Sequence, residues 1–597
     1  MALPFAVAYL SIQSSRDSSC EEYQFYHPKD EAVVAALADD FTGKTTNTTT
    51  ADLLIRRAVQ KLDKTLETLL ASVTTSPVPT TLSFGVVYNQ QLIYYKGLTT
   101  SENRAAQQPP QVPNPHSIYR IGSISKVWAV LLAFLLRDKG ILASLDATIH
   151  SLQANFTIDN PWGITPSEQA GHSLTVRQLA SQISGLPREL PCGADGYTDC
   201  IGVTTNEMFA RLAKDRLIHP TDTRPSYSNA AFAILGNVLS EYYHRNKQQQ
   251  QYQQEQRHTK DTSYNQTLME LLLEPLGLQH TGMYISNAEQ AKYAMPGYYS
   301  NGEKAPYIDI GWGGPCGNMF SSVHDLAQMM QQFFAAVPSK FESRGLNGTK
   351  SSNGRRTTLD YNFVVSPQSL REMMRPIFWN PDGISAFGAP WEMRLLGKRL
   401  VRSKGGNIDG FSSSMAMLPE MKLGVVALSN HDGLDGSIFT FSALQTLVPA
   451  FEHWMHEASI TEFRADKPTN FQDYLGNYML DDETSVFELS VDHLTTNIMI
   501  FSKLFDFWGI LQWQGGEDMI VHNLNSDTNP SCMVGALVAI DGLTLRFVRG
   551  HDGSVIGVEA IGFSDDFLIP KEKHGRKETF SRKTTFLRKR KDVSLKS

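Results

Sequence analysis

Cysteine is scarce in this sequence: five among 597 residues (Cys20, Cys192, Cys200, Cys316 and Cys532), scattered, with no CxxC pair. That spacing excludes a disulfide scaffold and offers no zinc-binding pattern, so neither a metal nor a cofactor is expected. Long apolar runs are missing as well. The longest, VWAVLLAFLL at 127–136, is about half of the roughly 18 residues that a membrane-spanning helix needs, and no transmembrane segment is expected. Nor is there an excess of positive charge: 54 Lys and Arg against 61 Asp and Glu leave −7, which argues against a nucleic-acid partner for the body of the chain. The N-terminal MALPFAVAYLSIQSS has no basic residue ahead of its apolar run, making it a poor signal peptide or the remnant of one.

What is present is an ordinary globular composition, 41% hydrophobic and 19% charged, in a chain long enough for roughly three or four domain-sized units. Cys192 and Cys200 bracket a polar loop, PCGADGYTDC, whose glycines let the chain turn back; a disulfide or two free thiols are both open there. Four glycosylation sequons start at Asn47, Asn155, Asn265 and Asn347, about as many as chance provides in a chain rich in Asn, Ser and Thr. An extracellular location is the expectation, though no motif fixes it.

Residues 1–50 read as an N-terminal segment, a remnant signal or disordered, and 51–73 as an amphipathic helix opening a domain that runs to 460. TLSFGVVYNQQLIYYKG reads as a β-hairpin turning at Asn89 and Gln90. A helical subdomain follows to about 290, interrupted by a polar run at 244–261 that reads as a solvated insertion. A second polar loop occupies 343–358, and strands return at 410–430 around a turn at Pro419–Lys422. From 467 to 570 short β-rich runs between Gly, Asp and Asn predict a separate all-β domain. Residues 571–597 are strongly basic and patternless, the composition of a disordered tail.

The chemistry concentrates in IYRIGSISKVWAVLLAFLLRDKGIL. Ser123 and Lys126 are three residues apart, so a helix sets hydroxyl and amine on one face, at the tip of an apolar body that burial would hold rigid. A serine is a poor nucleophile until a base takes its proton, which a lysine partly stripped of water can do. The first helical turn also carries free N–H groups that can face an oxyanion. Alone, an SxxK is commoner as a helix cap beside a solvated lysine. Ser125, next to Lys126, points elsewhere on a helix.

Two further boxes give it company. Tyr227 and Asn229 form a YxN in RPSYSNAAFAILGNVLSEYY, and Lys404, Gly405 and Gly406 form a KxG in SKGGNIDGFSSS. Singly, these read as a core tyrosine, a helix cap and a surface charge. A second YxN, Tyr299 and Asn301, lies in a loop rich in glycine. SxxK, YxN and KxG in this order resemble the serine β-lactamases, penicillin-binding proteins and related esterases and peptidases. YxN in place of SDN points to the class C side. LTVRQLASQISGLP, EPLGLQHTGMY and GGPCGNMFSSVHDLAQMM are similar to the same framework, and the resemblance covers about 80–450.

The resemblance implies an α/β fold, an antiparallel sheet flanked by helices with a helical subdomain, followed here by a C-terminal all-β domain. It implies acylation of Ser123, with Lys126 as its partner and Tyr227 as general base or acid. Asn229 is then a substrate and Lys126 contact, Lys404, Gly405 and Gly406 a substrate-binding strand, and the N–H groups of Ser123 and Asn407 an oxyanion hole. The substrate would be a small ester, amide, lactam or short peptide with D-residues. Two departures stand out: Gly405 lacks the hydroxyl that helps the family bind a substrate carboxylate, and no ExxLN-like carboxylate is present to activate water. The insertions and added β domain look more like eukaryotic β-lactamase-like proteins than compact resistance enzymes. The rival reading is a fold retired from catalysis and used as a binding or regulatory module.

Overall fold

The computed structural model describes residues 50–73, 79–100, 112–193, 196–251, 263–337, 362–462, 467–479, 485–491, 497–502, 507–523, 543–561 and 568–572. They fall into two compact units, the larger within 29–338 and 355–454 and the smaller within 455–597. No helix among the described residues is long and apolar enough to cross a membrane.

The larger unit is built on an eight-stranded antiparallel sheet in the order β2-β1-β10-β9-β8-β7-β6-β5, its far edge formed by β6 (Ser385–Phe387) and β5 (Phe378–Trp379). The hairpin of β1 (Thr81–Tyr88) and β2 (Gln91–Thr99) turns at Asn89, whose φ of +52° lies in the left-handed region that asparagine tolerates. Its other neighbour is β10 (Leu423–Ser429), joined to β9 (Phe411–Leu418) through the Pro419–Met421 turn. The two turns are tied by the Asn89 N–H donating to the Lys422 carbonyl at 2.8 Å. β8 (Arg399–Ile408) carries the KGG box, and β7 (Glu392–Leu396) lies beside it with Glu392 opposite Ser403. Every residue of β1, β9 and β10 is buried, so these central strands read as apolar or small runs and not as an alternation.

Helix α1 (Thr50–Val73) turns Ile55, Val59, Leu62, Leu66 and Leu70 inward at three- and four-residue steps, and its Asp63 and Glu67 take Lys96 of β2 at 2.9 and 3.0 Å. Helix α2 (Ser125–Asp138) is buried from Ser125 to Leu136, apolar on all sides because it is enclosed on all sides. It packs against α3 (Asn229–Gln251). Three of the short helices between α2 and α3 start at threonine capping boxes, Thr165 with Glu168, Thr175 with Gln178 and Thr204 with Glu207. α4 (Val323–Ala336) and α5 (Gly436–Glu462) complete the larger helices.

Two stretches differ from the sequence expectation. The polar run from 244 is not wholly a solvated insertion: α3 continues through it to Gln251, His244 is buried against Thr267, and Tyr243 and Lys247 both reach Glu270. Gln, Lys and Arg are good helix formers, and their polarity conceals that partners lie opposite. Residues 252–261 of that run, the loop at 343–358 and the N-terminal segment before 50 lie outside the described residues.

The smaller unit is an eight-stranded antiparallel meander, β11 (Gly476–Met479), β12 (Ser485–Val491), β13 (Ile498–Ser502), β14 (Phe507–Gly515), β15 (Asp518–Asn523), β16 (Thr544–Arg549), β17 (Val555–Ala560) and β18 (Leu568–Pro570). Its core includes Tyr474, Tyr478, Phe487, Leu511, Val521, Phe547 and Val558. The sheet nearly closes into a barrel. Lys571 bridges Tyr478, and the Glu572 N–H donates to the Asn477 carbonyl at 2.9 Å. Lys571 and Glu572 therefore belong to the barrel and not to the basic tail, whose remainder, 573–597, lies outside the described residues.

Candidate active site

A short strand, β3 (Tyr119–Arg120), pairs with β4 (Phe320–Ser321) and delivers the chain into a 3-10 turn at Gly122–Ile124, after which α2 begins. Gly122 has φ +47°, and a Cβ there would lie 2.9 Å from the Asn407 nitrogen, so both its conformation and its contact with β8 require glycine. In a 3-10 turn residues i and i+3 eclipse, which stacks Lys126 directly beside Ser123. Ser123 is half-buried and Lys126 is fully buried. The Lys126 ammonium uses all three of its protons: it donates to Ser123 Oγ at 2.9 Å, Asn229 Oδ1 at 2.7 Å and the Cys316 carbonyl at 2.7 Å.

Tyr227 precedes α3 and donates its hydroxyl to Ser123 Oγ at 2.6 Å. Its loop is clamped from both sides by Gln182, whose carbonyl accepts from the Ser226 N–H and whose Oε1 accepts from the Ser228 N–H, each at 2.7 Å. Gln182 holds φ +66° to do so, a backbone strain that the clamp over-determines. Burial works to raise the Tyr227 phenol, but the ammoniums of Lys404 and Lys126 and the hydrogen bond with Ser123 outweigh it and bring the pKa below its ordinary 10.0.

Lys404 is buried on β8, 5.1 Å from the Tyr227 ring centroid, and donates to Glu392 Oε1 at 2.7 Å and the Gly405 carbonyl at 3.0 Å. Burial works to lower its pKa, but Glu392 and Tyr227 outweigh that and raise it, so Lys404 remains an ammonium. Next along the strand, a Cβ on Gly406 would stand 2.1 Å from the Ile121 carbonyl and 2.7 Å from the Ser123 nitrogen. Only glycine lets β8 press against the turn that carries Ser123. Ser413 Oγ braces the contact, 2.8 Å from the Ile121 carbonyl and 2.9 Å from that of Gly406. Ser123 and Asn407 both line the resulting cavity, about 480 Å³, together with Tyr227, Asn229, Lys404, Gly405 and Gly406.

Residues set aside in the sequence find other places. Ser125 is buried and bonds the Gly122 carbonyl at 2.6 Å, and Tyr299 and Asn301 do not line the cavity. Cys192 and Cys200 form a disulfide, while Cys316 is a buried free thiol whose pKa burial pushes up. Among the described residues no group of His, Cys, Asp and Glu is arranged to hold a metal. Gln182, Ser413 and the Cys316 carbonyl carry the site from within stretches already quoted, where no role was assigned to them, and Glu392 from outside any motif. Arg188 is another: it lines the cavity with its guanidinium carbon 5.0 Å from the Tyr227 ring centroid.

Residues 80–440 match the model of the beta-lactamase family. The chain belongs to that family. Its relatives include a human protein named beta-lactamase-like 1, 29% identical over 68% of this chain and 71% of that protein. Another is the D-alanyl-D-alanine-carboxypeptidase/endopeptidase AmpH of Escherichia coli K12, 24% identical over 54% of this chain and 73% of that one. An octameric penicillin-binding protein homologue from Pyrococcus abyssi has the same fold, with TM-score 0.50 and 20% identity over 84% of this chain and 98% of that one. The family is one of serine hydrolases of the β-lactamase and penicillin-binding-protein type.

Proposed function

We propose that this protein is a serine hydrolase or acyltransferase that works through an ester on Ser123. The observation that carries the reading is the convergence on Ser123 Oγ of Lys126 and of a Tyr227 hydroxyl whose pKa is lowered. Lys126 holds Ser123 Oγ, Asn229 Oδ1 and the Cys316 carbonyl together, and Tyr227, whose phenol pKa is lowered, is the base. The Tyr227 phenolate takes the Ser123 proton as Oγ bonds to the substrate carbonyl carbon. The oxyanion is received by the N–H groups of Ser123 and Asn407. Tyr227 returns the proton to the leaving oxygen or nitrogen as its bond to carbon breaks, leaving acyl-Ser123. Water or another acceptor then attacks, Tyr227 takes its proton, and the ester bond breaks with the proton passing back to Ser123.

The candidate substrates are small esters, amides, lactams and short peptides with D-residues, the last supported by the name of the AmpH relative. The Cys192–Cys200 disulfide supports an oxidising, extracellular or lumenal location. Intact and peptide mass spectrometry after incubation with a fluorophosphonate tests the nucleophile. The adduct is expected on Ser123 and absent from Ser123→Ala; undiminished labelling of that variant sinks the assignment.

A further inference from the structure

A site that selects an anion needs a cation whose charge and donors are not already engaged, and the cavity over Ser123 is lined by two, Lys404 and Arg188. Lys404 is committed. Glu392 Oε1 holds it at 2.7 Å and the Gly405 carbonyl at 3.0 Å, with the ammonium fully buried. The space beside it is open, since a Cβ on Gly405 would meet only the Ser413 carbonyl at 3.8 Å, but glycine puts no donor there. The exposed carboxylate of Asp435, at the start of α5, lines the same sheet-side wall. With Lys404 and Glu392 cancelling each other, Asp435 leaves that wall net negative, which disfavours a substrate anion there.

Arg188 belongs to the opposite, helical wall with Tyr227 and Asn229. Its backbone carbonyl accepts from the Asn229 N–H at 2.6 Å, fixing the chain, and its guanidinium lies over the Tyr227 ring. Nε takes Glu189 Oε1 at 3.0 Å, and the two terminal nitrogens make no hydrogen bond among the described residues. An exposed pair between adjacent residues stabilises little, and Glu189 is shared with Asn229 Nδ2 at 2.8 Å and the Tyr197 hydroxyl. A planar fork with free N–H groups at the edge of a reaction cavity matches a carboxylate in geometry as well as charge.

We infer that Arg188 is the specificity-determining residue that receives a carboxylate carried by the substrate, so that the site takes esters or amides bearing a free acid close to the reacting carbonyl. This rests on the acyl-enzyme reading of Ser123. It also moves anion recognition across the cleft, from the strand where the KxG box would place it to the loop before the disulfide.

The test compares kcat/KM for 4-nitrophenyl hydrogen glutarate and neutral 4-nitrophenyl butyrate. The native protein is expected to favour the acid, the ratio to fall tenfold or more in Arg188→Gln, and Arg188→Lys to keep part of it because charge survives without the fork. Raising the salt should shrink the native ratio. A ratio unchanged in Arg188→Gln, or a native preference for the neutral ester, overturns the inference. Binding of glutaric monoanilide against butyranilide to Ser123→Ala, by calorimetry, asks the same question without turnover. Arg188→Gln should weaken the acid tenfold, and equal affinity overturns the proposal. Failure to turn over either ester counts against the acyl-enzyme reading, while the binding comparison still decides Arg188.

Discussion

The Lys404 ammonium lies 5.1 Å from the centroid of the Tyr227 ring, and Glu392 keeps it charged there. Its field helps bring the Tyr227 pKa below 10.0. A base acts only when deprotonated, so kcat/KM should rise with pH to a plateau that begins below the ordinary phenol range. Removing a neighbouring positive charge raises the pKa of a phenol, so Lys404→Met should move the rising limb to higher pH. A pH profile of ester hydrolysis measures this, and an unmoved limb would show that Tyr227 is not the titrating base.

Tyr227→Phe removes the proton carrier while leaving the ring over which Lys126, Lys404 and Arg188 lie. Acylation of Ser123 should slow by about 10² or more. Tyr299→Phe, outside the cavity, should leave the rate unchanged. Stopped-flow measurement of probe incorporation separates the two; a comparable loss in both variants would assign the role to the wrong tyrosine.

Adjacent glycines on β8 should respond in opposite ways. Gly406→Ala drives a methyl into the Ile121 carbonyl and should cost about 1–3 kcal/mol of stability together with most of the acylation rate. Gly405→Thr enters open space and should melt within a few degrees of the native protein. Thermal melts of both variants check the pair, and equal destabilisation would contradict the packing described.

The Cys192–Cys200 disulfide closes a loop of sequence separation 8, and Arg211 donates to the Cys192 carbonyl at 2.7 Å beside it. On loop-closure entropy alone, replacing both cysteines by serine should cost about 2.5 kcal/mol. Chemical denaturation with and without reductant measures it: reductant should destabilise the native protein and leave the double variant unaffected.

Ser123 and Lys126 were legible in the sequence because three-residue spacing juxtaposes side chains in an α and a 3-10 helix alike. The boxes at 227–229 and 404–406 were legible as short ordered patterns, and both hairpins by their turn residues. Glu392 was not, because its closeness to Lys404 depends on the register that sets it opposite Ser403. Sequence alone therefore leaves Lys404 a free cation for substrate anions, whereas the fold engages it. The Cys316 carbonyl is a backbone atom and has no sequence signature. Sheet order was equally hidden: the Thr81 N–H donates to Asn430 Oδ1 from 349 residues away, and nothing local records that pairing.

The pairing of β1 with β10 also makes the sheet hostage to the order of synthesis. A ribosome adding about 5–20 residues per second needs roughly twenty seconds to over a minute between making β1 and making its partner. Throughout that interval the first hairpin offers Leu82, Phe84 and Val86 with an unpaired strand edge, and an isolated hairpin is marginal at best. The first hairpin thus waits for its second neighbour until β10 and Asn430 have been made. A transcript that stops short of that point yields no smaller version of the fold, only a protein whose first strand still lacks its neighbour.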